Sequence, residues 1–337
     1  MRNPIASILG GNRVAFLLVF LGVTGVLVFV SWWVIAFVND QVAENQPMTA
    51  AELELSPIYV NFTTDIDAYV DAESYLAMAA YQQEFQQPQN VQVLVGLTTQ
   101  EINGYMLNHV VGGLRVNCTY CHSLANFAAE EWVNPETGEL ATVEMENRAN
   151  ARRHLQLVQD LNRNWLANLD ELTDAKHPSG VQMSCATCHY GQPNPQSWPD
   201  RQPTLPNDFR LPLDQSLTAE NVDYLNVNAR SDISLDRVQY QQNVMYHMNT
   251  ALNVGCTHCH NSRYFPSREV PAIHYAQNML QMTQYIWQEY GESINGVELG
   301  DQSPSCTLCH AGNVIPPGAV RSADLLPAAL VALNLDE

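Results

Sequence analysis

The hydrophobic pattern divides the chain into one long apolar run and a much longer polar remainder. Residues 14–38 carry no charge, and about 25 helical residues span roughly 37 Å, enough to cross a hydrocarbon core of about 30 Å. Arginines precede the run and acidic residues follow it, so the positive-inside rule leaves the N-terminus in the cytoplasm. The run is too long for a signal peptide, and no small-residue cleavage site follows it. The pattern predicts an uncleaved single-pass membrane anchor, with the remainder on the periplasmic, extracytoplasmic face.

Four segments of the remainder have the character of helices, one before each pair of cysteines. The first begins with a possible capping box from Thr98 to Glu101 and can end at Gly112. The last has Pro271 near its start and Gly291 after its end, as helix termini prefer. Strand-like patches are short, for example at residues 58–62. We predict a mainly α, loop-rich fold.

All eight cysteines occur in C-x-x-C-H motifs, called here the first to the fourth motif. The motifs consist of Cys118, Cys121 and His122; Cys185, Cys188 and His189; Cys256, Cys259 and His260; and Cys306, Cys309 and His310. Two thiols at this spacing add across the vinyl groups of one haem, and the adjacent histidine becomes the proximal iron ligand. A zinc ribbon needs no histidine after each pair, and a disulfide framework rarely places every cysteine in such pairs. The sequence therefore predicts four covalently bound haem c groups.

An internal repeat predicts the ligand on the other face of each iron. Met106 precedes the first motif by 12 residues, and Met245 precedes the third by 11. The segment around His154, before the second motif, matches the segment around Met279, before the fourth. A single methionine is usually a core residue, but four equivalent positions favour ligation. We predict a duplicated pair of two-haem units with Met106, His154, Met245 and Met279 as distal ligands.

The remaining candidates for ligation are less well supported by the repeat. His109, His247, His258 and His274 have no equivalents in both halves in this alignment, and we expect them to be packing or surface residues. Met145 competes with His154 for the second haem, but choosing it breaks the match with the segment around Met279.

The division of the chain follows from these features. We predict an anchor with its cytoplasmic tip in residues 1–39, a lead-in segment that packs on the haem domain in 40–95, the first and second haem sites in 96–192, a connector in 193–235, and the third and fourth sites with a C-terminal tail in 236–337. The connector is expected to be extended, because residues 193–217 contain six prolines.

Composition and the absence of other motifs narrow the function. Lys and Arg number 15 against 35 Asp and Glu, a net charge of -20, which excludes a phosphate-neutralising nucleic-acid surface. Arginine supplies all but one of the cations, which suits bidentate pairing with haem propionates. No nucleophile elbow, P-loop, dinucleotide fingerprint or carboxylate pair appears. We predict an electron-transfer protein and not an enzyme.

These motifs resemble the tetrahaem cytochrome c subunit of photosynthetic reaction centres from purple bacteria and filamentous phototrophs. The resemblance covers residues 95–315 and includes the helix–Met–loop–CxxCH order and the Arg-Arg-x-Leu stretch at 152–155. It implies a domain on the outer face of the L and M subunits. There it would re-reduce the photooxidised bacteriochlorophyll special pair with electrons from a soluble donor, a small cytochrome c or a blue copper protein.

The sequence departs from this family at two points. Many relatives are lipoproteins anchored through an N-terminal cysteine, and no spare cysteine exists here, so the helix must be the anchor. In the purple-bacterial pattern the second haem has a methionine where this chain has His154, and the fourth haem takes a histidine comparable to His177. The repeat favours Met279 over His177 for the fourth haem.

Two other classes share some of these features. A membrane-anchored tetrahaem quinol dehydrogenase of the NapC/NirT type also has one N-terminal helix, but its motifs are closely spaced, whereas first cysteines here lie 67, 71 and 50 residues apart. A multihaem reductase requires a haem with a free face, which four distal ligands would not leave. Methionine ligation predicts high potentials for the first, third and fourth haems and a lower one for the second.

Overall fold

The computed structural model describes residues 13–44, 65–173, 181–195, 205, 209, 211–213, 234–291 and 304–331. The chain separates into two compact units, Met1–Met48 and Thr49–Glu337. The first contains one helix, α1, over Arg13–Glu44. Its segment Leu17–Ala36 is long and apolar enough to cross a membrane, and the side chains of residues 17–35 are all exposed. The predicted N-terminal helix is therefore present.

The second unit is helical in every regular element of its described residues, and its β-structure there is limited to isolated bridges. The α-helices are α2 (Ala72–Glu84), α3 (Thr99–Tyr105), α4 (Gly112–Leu114), α5 (Thr142–Leu161), α6 (Cys185–His189), α7 (Leu235–Leu252), α8 (Ala272–Tyr285) and α9 (Cys306–His310). Short 3₁₀ turns occupy Ile66–Ala68, Cys118–Tyr120, Leu169–Glu171, Cys256–His258, Ala323–Leu325 and Ala328–Leu330. The predicted mainly α, loop-rich fold is confirmed.

The two halves of this unit repeat the same local structure. The first and third motifs begin as 3₁₀ turns, whereas the second and fourth form the five-residue helices α6 and α9. The Gly191 amide donates to the Gly113 carbonyl at 2.7 Å, and the Gly312 amide donates to the Ala251 carbonyl at the same distance. These bonds join α4 to the second motif and α7 to the fourth. The predicted internal duplication is thus visible in the backbone.

A π-helical segment accounts for the one-residue difference between the halves. The helix that begins as α3 changes to π geometry over Met106–Val111 before α4, whereas α7 is regular over its whole length. A π segment of this kind inserts one residue into a helix. The insertion explains why Met106 precedes its motif by 12 residues and Met245 by 11. Tyr105 and Val244, the residues before these methionines, are both fully buried.

The same insertion corrects one prediction. Counted back from the cysteines without a gap, Arg115 is equivalent to Asn253, and both have the left-handed conformation, with φ of 55°. His109 is then equivalent to His247, and both are buried. The prediction that these two histidines lack equivalents was wrong, because the one-residue insertion lies between them and the methionines.

Several predicted helix ends are observed. Thr98 and Glu101 form the reciprocal capping box at the start of α3. The following helical stretch ends at Leu114 and not at Gly112, because Arg115 adopts the left-handed conformation there. Pro271 is the N-cap of α8, and Gly291 follows its terminal π segment, Ile286–Tyr290.

Two long helices, α5 and α8, meet near their C-terminal ends. Each ends in a π segment, Asn162–Leu166 in α5 and Ile286–Tyr290 in α8. The Tyr285 hydroxyl donates to the Asp160 carboxylate at 2.5 Å, and Tyr290 donates to the same group at 2.7 Å. Asp160 and Tyr285 hold equivalent positions in the repeat, so equivalent turns of the two halves are in direct contact.

The hydrophobic core of the first half includes the C-terminal tail. Tyr105 and Leu155 pack with Val320 and Leu330 in one buried cluster. Hydrogen bonds fix the tail, since the Asn162 side-chain amide donates to the Leu330 carbonyl at 2.9 Å. The strand-like patch at residues 58–62 and most of the proline-rich connector lie outside the described residues, and the predicted internal boundaries remain predictions.

Candidate haem sites

One cavity of about 970 Å³ runs past all four motifs. Its volume lies at the upper end of the usual range for cofactor sites, about 300–1,000 Å³. Motif residues in its lining are Cys118, Cys121, His122, Cys185, Cys188, His189, Cys259, Cys306, Cys309 and His310. Three of the four predicted distal ligands, Met106, His154 and Met279, also line it. None of the eight cysteines forms a disulfide bond.

The four motif histidines share one hydrogen-bonding arrangement. The Nδ1 atoms of His122 and His260 bond to the carbonyl oxygen five residues ahead, at 3.0 and 2.9 Å. Those of His189 and His310 bond to the carbonyl three residues ahead, at 2.9 Å in both cases. An Nδ1 that donates to a carbonyl leaves the Nε2 lone pair for a metal. Each motif therefore presents a histidine prepared for axial ligation.

The first motif is half-buried beneath the lead-in helix α2. The Ser74 hydroxyl donates to the Asn117 side chain at 2.9 Å, directly before Cys118. Tyr81 of α2 packs edge-on against Phe127, with ring centroids 5.8 Å apart. Phe127 in turn supplies the carbonyl that fixes His122. Helix α2 thus covers the loop that orients the first motif histidine.

The second motif brings two predicted ligands together. His154 on α5 faces His189, with ring centroids 5.5 Å apart and 3.3 Å between His154 Nδ1 and His189 Nε2. The His154 Nε2 atom is buried and has no hydrogen-bond partner among the described residues. Ser184 forms a capping box with Thr187 at the start of α6, and its hydroxyl donates to the Gly318 carbonyl at 2.9 Å. The two imidazoles lie within hydrogen-bond distance of each other, so the fold brings both predicted ligands of the second haem to one place.

The third motif has the same backbone as the first but a more open position. Cys256 is exposed, and Phe265, which supplies the carbonyl to His260, is 49 % exposed. The predicted ligand Met245 is half-buried on α7 and lies outside the cavity lining, whereas Met248, one turn later, belongs to it. Met245 is therefore linked to the third motif by its position on the preceding helix and not by a place in the cavity lining.

The fourth motif touches both helix α7 and the second motif. The Cys306 amide donates to His247 Nε2 on α7 at 3.2 Å. Cys309 Sγ lies 3.2 Å from Cys188 Sγ. The predicted ligand Met279 lines the cavity on α8, and the alternative, His177, lies outside the described residues.

Helices α5 and α8 line the cavity with equivalent residues. In the register that pairs His154 with Met279, the lining pairs are Asn147 with Ala272, Asn150 with Tyr275, Ala151 with Ala276, Leu157 with Met282, Val158 with Thr283 and Leu161 with Ile286. Met145, the competing ligand for the second site, is half-buried on α5 and is not among the lining residues. The two helices present the same face, and His154 and Met279 occupy the same place on it.

Burial keeps the candidate ligands neutral. Burial, reinforced by the nearby Arg148 guanidinium, lowers the pKa of His122 to about 4. Burial likewise lowers the pKa of His154 to about 4, and it also lowers the pKa of His310. Neutral imidazole is the form that binds iron, so these sites favour ligation over protonation at neutral pH.

Sequence reasoning missed two residues of these sites. His247 binds the backbone at the start of the fourth motif, and an alignment counted back from the cysteines would have paired it with His109. Arg148 is buried beside the first motif, and its spacing to Ala151 and Leu155 on α5 is the helical signal that could have placed it on the buried face.

Comparison with known sequences places these features in a family. The family model "Photosynthetic reaction centre cytochrome C subunit" matches residues 68–207 and again residues 200–326. The two matches follow one another along the chain and together cover both halves. They include all four motifs and the helices before them.

Individual relatives agree with this result. Cytochrome c-554 of Chloroflexus aurantiacus is 28% identical over 331 residues, 75% of each chain. The photosynthetic reaction center cytochrome c subunit of Roseobacter denitrificans is 26% identical over 345 residues, 87% of each chain. That of Thermochromatium tepidum is 27% identical over 258 residues, which cover 66% of this chain and 58% of the relative. The chain belongs to the photosynthetic reaction centre cytochrome c subunits, electron carriers that hold haem c covalently and act at the reaction centre.

Proposed function

We propose that this chain holds four haem c groups, one at each motif, and re-reduces the bacteriochlorophyll special pair with electrons from a soluble donor. The observation that carries the proposal is the hydrogen bond from each motif histidine Nδ1 to a backbone carbonyl. It supports the same axial role in all four motifs. The cysteine pairs would bind the vinyl groups, and haem supplies reversible one-electron chemistry when bound.

The distal ligands that we propose are Met106, His154, Met245 and Met279. The shared cavity face of α5 and α8 supports His154 and Met279 as one pair. The π insertion after Met106 supports Met245 as its equivalent, because it removes the one-residue discrepancy. A ligand on each face leaves no iron position for a substrate, so the role is electron transfer and not catalysis.

Contacts between the motifs support an order for the attachment sites. Helix α4 packs on the second motif, which touches the fourth through Cys188 and Cys309. Helix α7 packs on the fourth motif through His247. We infer the spatial sequence first, second, fourth, third, which differs from the order along the chain.

The partners follow from the family and from charge. We propose that α1 anchors the chain with its N-terminus in the cytoplasm and that the second unit docks on the L and M subunits outside. The net charge of -20, made more negative by haem propionates, favours a soluble donor with a positive face, a small cytochrome c or a blue copper protein.

Flash illumination of native membranes tests this function. The cytochrome α-band should bleach in step with re-reduction of the special pair, and mass spectrometry should find four haems on a chain that retains α1. Absence of light-induced bleaching in intact complexes would contradict the assignment. Four low potentials in the quinol range would instead favour the tetrahaem quinol dehydrogenase.

A further inference from the structure

Arg148 is a buried cation beside the first motif. It lies on α5, its side chain is only 7 % exposed, and it lines the cavity together with Cys121 and His122. Its Nη1 atom is buried and has no hydrogen-bond partner among the residues that the structure describes. A buried guanidinium nitrogen without a partner is unfavourable, so this position calls for an anion.

The nearest acidic side chain is already bound by other groups. Glu130 forms an ion pair with Arg152 at 2.8 Å, and the Asn90 side chain donates to the same carboxylate. Arg152 also donates to the Asn90 carbonyl at 3.3 Å. Arg148 and Arg152 are the two arginines of the cavity lining in the described part of the chain, and Arg152 has its partners within the protein. Within the described part of the chain, this leaves the cavity side as the source of an anion for Arg148.

The equivalent position in the other half carries no charge. In the register that pairs His154 with Met279, Arg148 corresponds to Ile273 on α8. The first and third motifs share their backbone and their histidine hydrogen bond, so the charge at this position is a chemical difference between two otherwise similar sites.

We propose that Arg148 binds a propionate of the haem attached at the first motif and thereby raises the reduction potential of that site. The inference rests on the proposed function, since it requires haem at the first motif. A guanidinium forms paired, charge-assisted hydrogen bonds with a carboxylate. The positive charge of the guanidinium disfavours ferric iron, which carries one more positive charge than ferrous iron. An unpaired propionate would stabilise ferric iron and so lower the reduction potential.

Redox titration of the complete membrane complex tests this role with Arg148→Gln. At a fixed ambient potential, the ratio of reduced to oxidised first site should fall about tenfold, a shift of about 59 mV for one electron. A Met106→His variant identifies the first-site component, because replacing its ligand should lower the same component. A shift below about threefold, or one spread equally over all sites, would overturn the proposal.

Two matched variants separate charge from structure. Arg148→Lys keeps the charge and should shift the ratio by less than about threefold. Arg152→Gln removes a cation one turn away that is already paired, and it should also shift the ratio by less than about threefold. Equal shifts in Arg148→Gln and Arg152→Gln would show a general charge effect and overturn the specific role.

Peptide mass mapping keeps the two proposals distinguishable. If the wild-type first-motif peptide carries no haem, the proposed function fails. If it carries haem and Arg148→Gln leaves the potential unchanged, only the role of Arg148 fails. If Arg148→Gln loses haem at this motif, Arg148→Lys provides the test instead. A lysine cannot form the paired hydrogen bonds of a guanidinium, so the resonance Raman band of the propionate must shift relative to the wild type. An unchanged band would overturn the proposal.

Discussion

The first and third motifs have the same backbone but different cover. Phe127 and Phe265 hold equivalent positions and each supplies the carbonyl that fixes its motif histidine. Phe127 lies under Tyr81 of α2, whereas Phe265 is 49 % exposed. The duplicated units are therefore alike in what orients the histidine and unlike in what shields it.

The second motif is likewise better covered by neighbouring segments than the fourth. Ser184 and Thr187 of the second motif both donate to the Gly318 carbonyl of the C-terminal tail, at 2.9 and 3.2 Å. Ser305 of the fourth motif instead bonds to the neighbouring Thr307. Segments before and after the duplicated units thus enclose the first half. Lower solvent access there strengthens the electrostatic effect of any charge, including Arg148.

The largest effect on this asymmetry should come from Gly318→Ala. A Cβ at Gly318 would lie 2.8 Å from the Thr187 amide and closer still to the Ala186 carbonyl, both backbone atoms that cannot move aside cheaply. We expect the tail to leave the second motif, with a loss of about 3 kcal/mol or more in stability. Thermal unfolding of the holoprotein, together with haem content at the second-motif peptide, measures this.

Gly255→Ala is the matched control for that change. Gly255 stands directly before the third motif, and a Cβ there meets no atom within 4 Å. The control should unfold at the wild-type temperature. A wild-type unfolding temperature for Gly318→Ala as well would show that the tail does not clasp the second motif.

His154→Met should make the second site resemble the other three. The haem should stay six-coordinate, and its potential alone should rise on the order of 0.1 V, a fraction of the range of about 0.8 V that axial ligands give. The reciprocal variant Met279→His should lower the reduction potential of the fourth haem. Spectroelectrochemical titration with near-infrared ligation bands checks both.

Met145→Leu tests the competing assignment of the second site. We expect all four potentials to remain nearly unchanged, since Met145 does not line the cavity. Loss of a ligand band in this variant would contradict the register that pairs His154 with Met279. His177 would then become the better candidate for the fourth site.

Gly113→Ala and Ala251→Gly exchange equivalent residues between the halves. A Cβ at Gly113 would lie 2.9 Å from both the Ala186 amide and Cys185 Cβ, so we expect a loss of about 1–3 kcal/mol. Ala251→Gly should cost only about 0.5–1 kcal/mol, the usual effect of glycine in a helix. If the two variants had comparable unfolding temperatures, α4 and α7 would approach their motifs equally closely.

The sequence predicted those features that depend on residue identity at fixed spacing. The C-x-x-C-H motifs, the apolar run of α1 and the capping box at Thr98 each have a local chemical cause, so they could be recognised without the fold. The duplicated architecture followed from comparing the segments around His154 and Met279.

Features that depend on tertiary packing could not be predicted in this way. The π insertion after Met106 leaves no composition signal, and it misaligned His109 and His247. The contact of Gly318 with the second motif joins residues 131 apart and becomes apparent only in the folded chain. The unpaired buried nitrogen of Arg148 likewise depends on the surrounding helices.

The last prediction concerns Asp160, where equivalent positions of the two halves meet. Burial acts to raise the pKa of Asp160, but hydrogen bonds from Tyr285, Tyr290 and Asn164 outweigh it and hold the pKa below its ordinary value. Bonding to Asp160 also raises the pKa of Tyr285 to about 12. A depressed carboxyl pKa contributes stability above the unfolded value of 3.8 that is lost as pH falls through the folded value.

Asp160→Asn should therefore cost about 1 kcal/mol near neutral pH, reduced by partial solvent exposure. The cost should disappear as pH falls through the folded pKa, and pH-dependent unfolding of the variant measures it, with Gln156→Ala, at an exposed position of α5, as control. A cost independent of pH would show that the carboxylate does not join the halves.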